Sequence, residues 1–240
     1  MTHSSFSAPA HTAQAPRVDL YAYIHKALRT MMTDTLHSVG RVDVHDSIEL
    51  HAVCERVLAL ADACANHLAH ENIFVHPAME ACQPGSSAQV SHEHEEHQHA
   101  IAQLCEAAAT LGDARPGPAR AQAAQALYRE LAVFVAENFL HMHIEETAHN
   151  HVLQSGYSDA ELMALEGRIL ASIPPEENLA ALRWMVPALT PAERAQLLGG
   201  MQAGAPAPVF AAALDAVRPH LSARDWAKLE ETLAPAPVAA

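Results

Sequence analysis

Histidine falls on the inward faces of four predicted helices, and this placement constrains the fold more than any other feature of the sequence. Two of these histidines are followed four residues later by glutamate, at His67 and Glu71 and at His141 and Glu145. Residues i and i+4 share one face of a helix, so each pair can direct both side chains at one metal ion. The pattern therefore predicts a metal site inside a helical bundle.

Apolar residues recur at intervals of three and four along the chain, and no alternating run bounded by turns predicts a strand. We predict bundle helices over residues 18–39, 46–76, 88–111 and 119–156, with the second ended by Pro77. Because the connections are short, consecutive helices should be antiparallel neighbours. The predicted fold class is all-α, an up-down-up-down four-helix bundle with an additional C-terminal helical subdomain.

The chain divides into three predicted regions. Residues 1–17 are small, polar and without periodicity, which is typical of a disordered segment. Residues 18–156 form the bundle, and residues 157–240 form an accessory helical region with a disordered tail. Capping patterns in that region predict helices near residues 158–171, 176–186, 191–203, 207–217 and 222–233. We expect this region to pack on the bundle, to bind a protein partner or to form a homo-oligomer.

The alternating helix directions bring the inward histidines to one layer of the bundle. Early positions of the first and third helices meet late positions of the second and fourth. The side chains placed in this layer are His25, His67, Glu71, His94, His97, His141 and Glu145. Burying these groups together without a cation would cost several kcal/mol for each unpaired charge. Imidazoles and carboxylates without thiolates suit iron, zinc, copper or manganese, and the set is large enough for two metals bridged by the glutamates.

We assign the remaining polar residues of the bundle to solvated, rim or packing positions. Most other histidines fall off the inward faces, and we assign them to solvated or rim positions: His37, His45, His51, His70, His76, His92, His99, His143, His149 and His151. Glu93, Glu95 and Glu96 are assigned to a solvated face, and Tyr21 to packing.

Composition and charge limit the classes of binding partner and the cellular compartment that we expect. The formal net charge is −14 at pH 7, and no basic patch is present that could bind nucleic acid or an anionic membrane surface. No stretch is long and apolar enough to span a bilayer, and the N-terminus lacks the pattern of a signal peptide. The 4 cysteines occur singly, which favours free thiols over disulfides or a thiolate zinc site. We expect a cytoplasmic protein.

Ferritin-like proteins are one class that holds carboxylate-bridged metal pairs in four-helix bundles. They require a glutamate on each of two helices and Glu-x-x-His on each of the other two. No glutamate occurs between Val18 and Val39, so the first helix cannot supply its share. The ferritin-like arrangement is therefore excluded.

The pattern instead resembles the hemerythrin family, in particular its bacterial HHE cation-binding members. His25, within YIHKALR, matches the histidine on that family's first helix. His67 and Glu71, within NHLAHENIFVHP, match the pair on its second helix. His141 and Glu145, within LHMHIEETAH, match the pair on its fourth.

The resemblance covers about residues 18–156 and leaves two ligand positions with alternatives. On the third helix, His94 and His97 are three residues apart, whereas the oxygen-carrying members space two histidines by four. Both can face inward, and the sequence HQHAIAQL favours His97. On the fourth helix, a spacing of four selects Glu145 and a spacing of five selects Glu146. Symmetry with the second-helix pair favours Glu145.

The resemblance implies a non-haem di-iron centre in which Glu71 and Glu145 bridge two iron ions. An open coordination position would bind a small diatomic ligand such as O2 or NO, and this use is the first hypothesis. The second is an enzyme or iron-handling protein that reduces nitric oxide or peroxide, or repairs iron–sulfur clusters. The third is a non-redox metal store with the same ligands. His70, His94 and Tyr21 are the candidate proton donors, and the sequence does not choose among them.

Overall fold

The computed structural model describes residues 17–234, and all regular structure in that range is helical. The α-helices, in chain order, are α1 (Ala22–Gly40), α2 (Ser47–His70), α3 (His76–Cys82), α4 (Ala88–Asp113), α5 (Pro118–Ile144), α6 (Asn150–Gly156), α7 (Asp159–Ser172), α8 (Pro175–Ala188), α9 (Pro191–Gly204), α10 (Ala207–Val217) and α11 (Ala223–Leu233). The predicted all-α class is confirmed. The two segments predicted to be disordered lie, except for a residue or two, outside the described residues.

Helices α1, α2, α4 and α5 form the four-helix bundle. α1 packs on α2 and on α5, and α4 packs on the same two helices. The apolar stripes of the sequence meet in its core, where Met32, Leu60, Leu104 and Leu131 are fully buried. The helix α2 begins directly after its N-cap Asp46, whose carboxylate accepts hydrogen bonds from two backbone N–H groups of the first turn.

Two π-helical turns interrupt the second and the fourth bundle helix. The first π turn (Glu71–Val75) joins α2 to α3, and the second π turn (Glu145–His149) joins α5 to α6. The predicted end of the second helix at Pro77 was wrong, because the helical path continues through it. Within the first π turn the backbone N–H of His76 donates to the carbonyl of Glu71. Pro77 then lies in the first turn of α3, where its missing N–H is tolerated.

A small apolar cluster closes the end of the bundle at which the π turns lie. The helix α7 packs on the first π turn and on α6. The buried members of this cluster are Tyr21, Val75, Met79, Leu153 and Leu162. Arg17 fixes the start of the described chain to the same region, since its Nε donates to Asp159 Oδ1 at 2.6 Å. The apolar cover keeps water away from the bundle interior at this end.

The C-terminal helices begin and end within two residues of the predicted bounds. The predicted capping boxes of Ser158 with Glu161 and of Thr190 with Glu193 are both present. Helices α8 to α11 share a core of their own, to which Leu182, Val186, Leu198, Ala213, Val217 and Leu229 contribute. α8 lies against α1, and Lys26 Nζ donates to Glu193 Oε2 at 2.7 Å. These helices therefore pack on the bundle.

None of the helices within residues 17–234 combines the length and apolarity of a membrane span. All four cysteines are free thiols, as expected from their spacing, and Cys54 and Cys64 are buried. Burial raises the pKa of the Cys64 thiol to about 12, so this thiol stays protonated and unreactive.

Close packing of α3 on α6 provides the first prediction. A Cβ at Gly156 would collide with Sγ and Cβ of Cys82. We expect Gly156→Ala to lower the free energy of unfolding by about 1–3 kcal/mol, the usual cost of overpacking an interior, as measured by urea denaturation. The matched control is Gly167→Ala on α7, where a Cβ meets nothing within 4 Å and should stabilise by about 0.5–1 kcal/mol. Equal effects of the two substitutions would contradict the packing of α3 on α6.

Candidate metal centre

Four imidazole rings and two carboxylates converge between the bundle helices, next to the π turns. The rings are those of His25 on α1, His67 on α2, His94 on α4 and His141 on α5. The carboxylates belong to Glu71 and Glu145, which are the first residues of the two π turns. They form two groups whose ligand atoms lie within 4.8 Å of one another and could hold a metal ion. Position A consists of His25, His67, Glu71 and Glu145, and position B consists of Glu71, His94, His141 and Glu145.

At position A, two ring nitrogens face each other and two carboxylate oxygens lie beside them. Nε2 of His25 is 3.2 Å from Nε2 of His67. Oε1 of Glu71 is 3.2 Å from Nε2 of His67, and Oε2 of Glu145 is 3.4 Å from Nε2 of His25. Two facing imidazole nitrogens either share a proton or direct both lone pairs at one cation. The second arrangement uses all four ligand atoms.

Position B repeats this geometry with the opposite oxygen of each glutamate. Nε2 of His94 is 3.1 Å from Nε2 of His141. Oε2 of Glu71 is 3.5 Å from Nε2 of His94, and Oε1 of Glu145 is 3.3 Å from Nε2 of His141. Each glutamate therefore turns one oxygen toward position A and the other toward position B.

The two carboxylates are deeply buried and electrostatically strained without a cation. None of their four oxygens has a hydrogen-bond partner of good geometry within the described part of the chain. Burial and the neighbouring charge of Glu145 hold the pKa of Glu71 well above its ordinary value. Burial also acts to raise the pKa of Glu145, but the rings of His141 and His94 outweigh it and hold that pKa well below its ordinary value. Without a metal, these opposite shifts favour a proton on Glu71 and a charge on Glu145, and divalent cations would fit this donor set better.

Hydrogen bonds from outside the centre orient three of the four rings. Their Nδ1 atoms lie within hydrogen-bond distance of an oxygen: His25 of Glu146 Oε1 at 3.1 Å, His94 of Asn72 Oδ1 at 2.8 Å, and His141 of Glu93 Oε2 at 2.9 Å. A proton on Nδ1 leaves the lone pair on Nε2, which is the atom that faces positions A and B. The assignment of Glu93 to a solvated face was therefore wrong.

Glu146 belongs to the surroundings of the centre. Both of its carboxylate oxygens bind the guanidinium of Arg29, one of them at 3.0 Å. Burial opposes ionisation of Glu146, but His25 and Arg29 outweigh it and lower the pKa to about 2. Of the two alternatives at the end of the fourth helix, the structure brings Glu145 into both groups and leaves Glu146 outside them.

His97 lies beside the centre and belongs to neither group. Its ring centroid is 4.6 Å from that of His141 and 6.3 Å from that of Phe134. Its Nδ1 is buried and has no hydrogen-bond partner in residues 17–234. The structure thus assembles six of the seven predicted ligands and places the seventh next to them.

Two histidines assigned to the rim are buried, so that assignment was wrong for His76 and His149. The ring of His76 stacks on His94 with centroids 4.8 Å apart, and its Nδ1 lies 3.1 Å from Oγ of Ser91. For His76 the cause is the wider π turn before it, which shifts later side chains away from the direction that 3.6 residues per turn would give. His149 lies four residues after Glu145 and therefore on the same face of its helix, so regular helical spacing already directs this side chain inward.

Tyr21 is packed in the apolar cluster, as predicted, and its ring also borders position A. The ring centroid lies 5.2 Å from that of His25. The hydroxyl is buried and unpartnered among the described residues. Burial and the charges of Glu71 and Glu145 raise the pKa of this phenol well above its ordinary value, so it stays protonated.

Comparison with models of protein families identifies the family of the chain. The model of the hemerythrin HHE cation-binding domain matches residues 18–149, which is more than half of the chain and includes every residue of positions A and B. No curated protein and no solved structure matches the chain.

The buried carboxylate pair makes the stability of the metal-free protein depend on pH. The pKa of Glu71 in the folded chain is raised above its ordinary value of 4.5. The metal-free folded chain therefore loses stability as the pH rises from that ordinary pKa to the raised one. Glu71→Gln has no proton to release. We expect this variant, stripped of metal with a chelator, to match the wild type near pH 4 and to be more stable than it at pH 7.5 in urea unfolding.

The control for this experiment is Glu55→Gln on the exposed face of α2, which should show no such pH-dependent difference because the Glu55 side chain is 67% exposed. A Glu71→Gln variant that is less stable than the wild type at pH 7.5 in chelator would contradict the strained carboxylate pair.

Proposed function

Because the chain belongs to the hemerythrin HHE cation-binding family, we propose that it holds two iron ions, one at position A and one at position B. The observation that carries this proposal is the division of the carboxylate oxygens. Glu71 and Glu145 each offer one oxygen to one position and one to the other, while two histidine nitrogens complete each position. The glutamates would then bridge the two ions.

The donor set suits iron, and iron would keep room for an external ligand. Each position offers two imidazole nitrogens and two carboxylate oxygens. Four donors complete a tetrahedral zinc site, whereas iron in a histidine and carboxylate environment commonly keeps open positions for an external ligand. We therefore propose that a small diatomic molecule such as dioxygen or nitric oxide binds at this centre.

The surroundings of the centre support the binding of a diatomic molecule. Iron at these positions would supply reversible binding of the diatomic ligand through its open coordination positions. The protein contributes an apolar cover at the end of the bundle where the centre lies.

The cover over this end of the bundle is formed by Met79, Leu153 and Leu162, each of which is at most 1% exposed. An apolar cover of this kind limits solvent access and so keeps a bound ligand from being displaced or protonated by water. Tyr21, which stays protonated, lies at the inner side of the same cover.

The proposal is tested by metal analysis of protein purified without air, followed by its visible absorption spectrum before and after oxygen is admitted. We expect two irons per chain and an absorption band that appears with oxygen and disappears when oxygen is removed. Zinc in place of iron, or no metal, would contradict the iron assignment. Irreversible oxidation on first exposure would contradict reversible binding and favour an enzyme or iron-handling role.

Substitution of one histidine at each position gives a further prediction. His67→Ala combined with His141→Ala should abolish metal binding and lower the melting temperature, because the buried glutamates would lose the cations that balance them. Metal content by mass spectrometry and thermal unfolding measure the two effects. The matched control is His92→Ala with His143→Ala, two exposed histidines of α4 and α5, which should keep both metals. Two metals per chain in the first double variant would show that the ligand assignment is wrong.

A further inference from the structure

Both rings of position B are fixed from outside the centre. His94 is held by Asn72 at 2.8 Å and His141 by Glu93 at 2.9 Å. Both rings are buried, with residue exposures of 1% and 3%. Because these rings are already oriented, little conformational entropy remains to be lost when a metal ion binds.

Only one ring of position A is fixed in the same way. His25 is held by Glu146 at 3.1 Å. For His67, the described residues provide a hydrogen-bond contact only at Nε2, from the facing ring of His25. Its side chain is also 12% exposed, whereas that of His25 is fully buried. Position A must therefore order one ring when it binds metal.

The two carboxylates that hold rings also differ in their own partners. Glu93 and Glu146 are similarly exposed, at 24% and 26% of their side chains, so solvent screens them to a similar degree. The second partner of Glu93 is the neutral amide of Gln89, at 2.9 Å. Glu146 is bound by the guanidinium of Arg29. A ring that donates to a carboxylate becomes a more basic ligand, and Arg29 offsets this effect at His25 but not at His141.

We propose that position B binds the first metal ion and holds it more tightly than position A, and that Glu93 is the positioning residue that sets this order. The proposal rests on the two-metal function proposed above. Ring orientation and ligand basicity act in the same direction, since each favours position B. Changes in such outer partners commonly alter metal affinity by about 10–100-fold, so we expect the two steps to be separated by about tenfold or more.

The order is tested by titrating Co2+ into the metal-free full chain, followed by visible absorption and calorimetry. We expect two steps of one ion each, with the first about tenfold or more tighter. His67→Ala should remove the weaker step and keep the tighter one, whereas His94→Ala should remove the tighter step. Two steps of equal affinity, or loss of the tighter step in His67→Ala, would overturn the proposed order.

The role of Glu93 is tested by Glu93→Gln, which keeps the size of the side chain and removes its charge. This variant should weaken the first step by about 10–100-fold, shift the absorption bands of that step, and leave the second step within about threefold. The matched control is Glu95→Gln, two residues away on α4, whose side chain is 76% exposed and contacts the exposed His92. It should leave both steps unchanged. Equal weakening of both steps by Glu93→Gln, or no change in either, would overturn the role of Glu93.

The two proposals fail in different ways in this titration. A wild-type chain that binds fewer than two Co2+ ions would overturn the two-metal function and the binding order together. A wild-type chain that binds two ions with equal affinity would overturn the order alone. Circular dichroism of each variant establishes that a lost step is not lost folding.

Discussion

The buried carboxylate pair of Glu71 and Glu145 is the constraint on which the rest of the site depends. Their four oxygens have no hydrogen-bond partners of good geometry within residues 17–234, and a buried unpaired charge costs several kcal/mol. The groups around the carboxylates prepare them to bind cations. Four ring nitrogens lie beside the carboxylates, and an apolar cluster closes this end of the bundle. The arrangement is far more favourable with cations than without them.

Much of the fold and most of the site could be predicted because they follow from local periodicity. Side chains four residues apart share a helical face, which predicted the pairing of His67 with Glu71 and of His141 with Glu145. Caps and breaks fixed the ends of the C-terminal helices to within two residues. Helical spacing and capping are set by residues close together in the sequence, so both can be predicted without the structure.

The features that escaped prediction depend on departures from the regular helix or on contacts between distant segments. The first π turn changed the direction of His76, which a regular helical repeat would place away from the inward face. The outer partners of the rings are 22, 48 and 121 residues away in sequence. His94 and His97 both face inward and differ by about 4.5 Å along the helix axis, so periodicity could not show which of the two rings directs a nitrogen at Nε2 of His141.

The central claim is that two carboxylates bridge two metal ions between the bundle helices. X-ray absorption at the iron edge of the iron-loaded chain tests it most directly, because a bridged pair places a second iron at a short and fixed distance. We expect an iron–iron distance of roughly 3.5–4 Å, the usual separation in two-metal sites. A spectrum that contains only nitrogen, oxygen and carbon neighbours out to that distance would contradict the bridged pair.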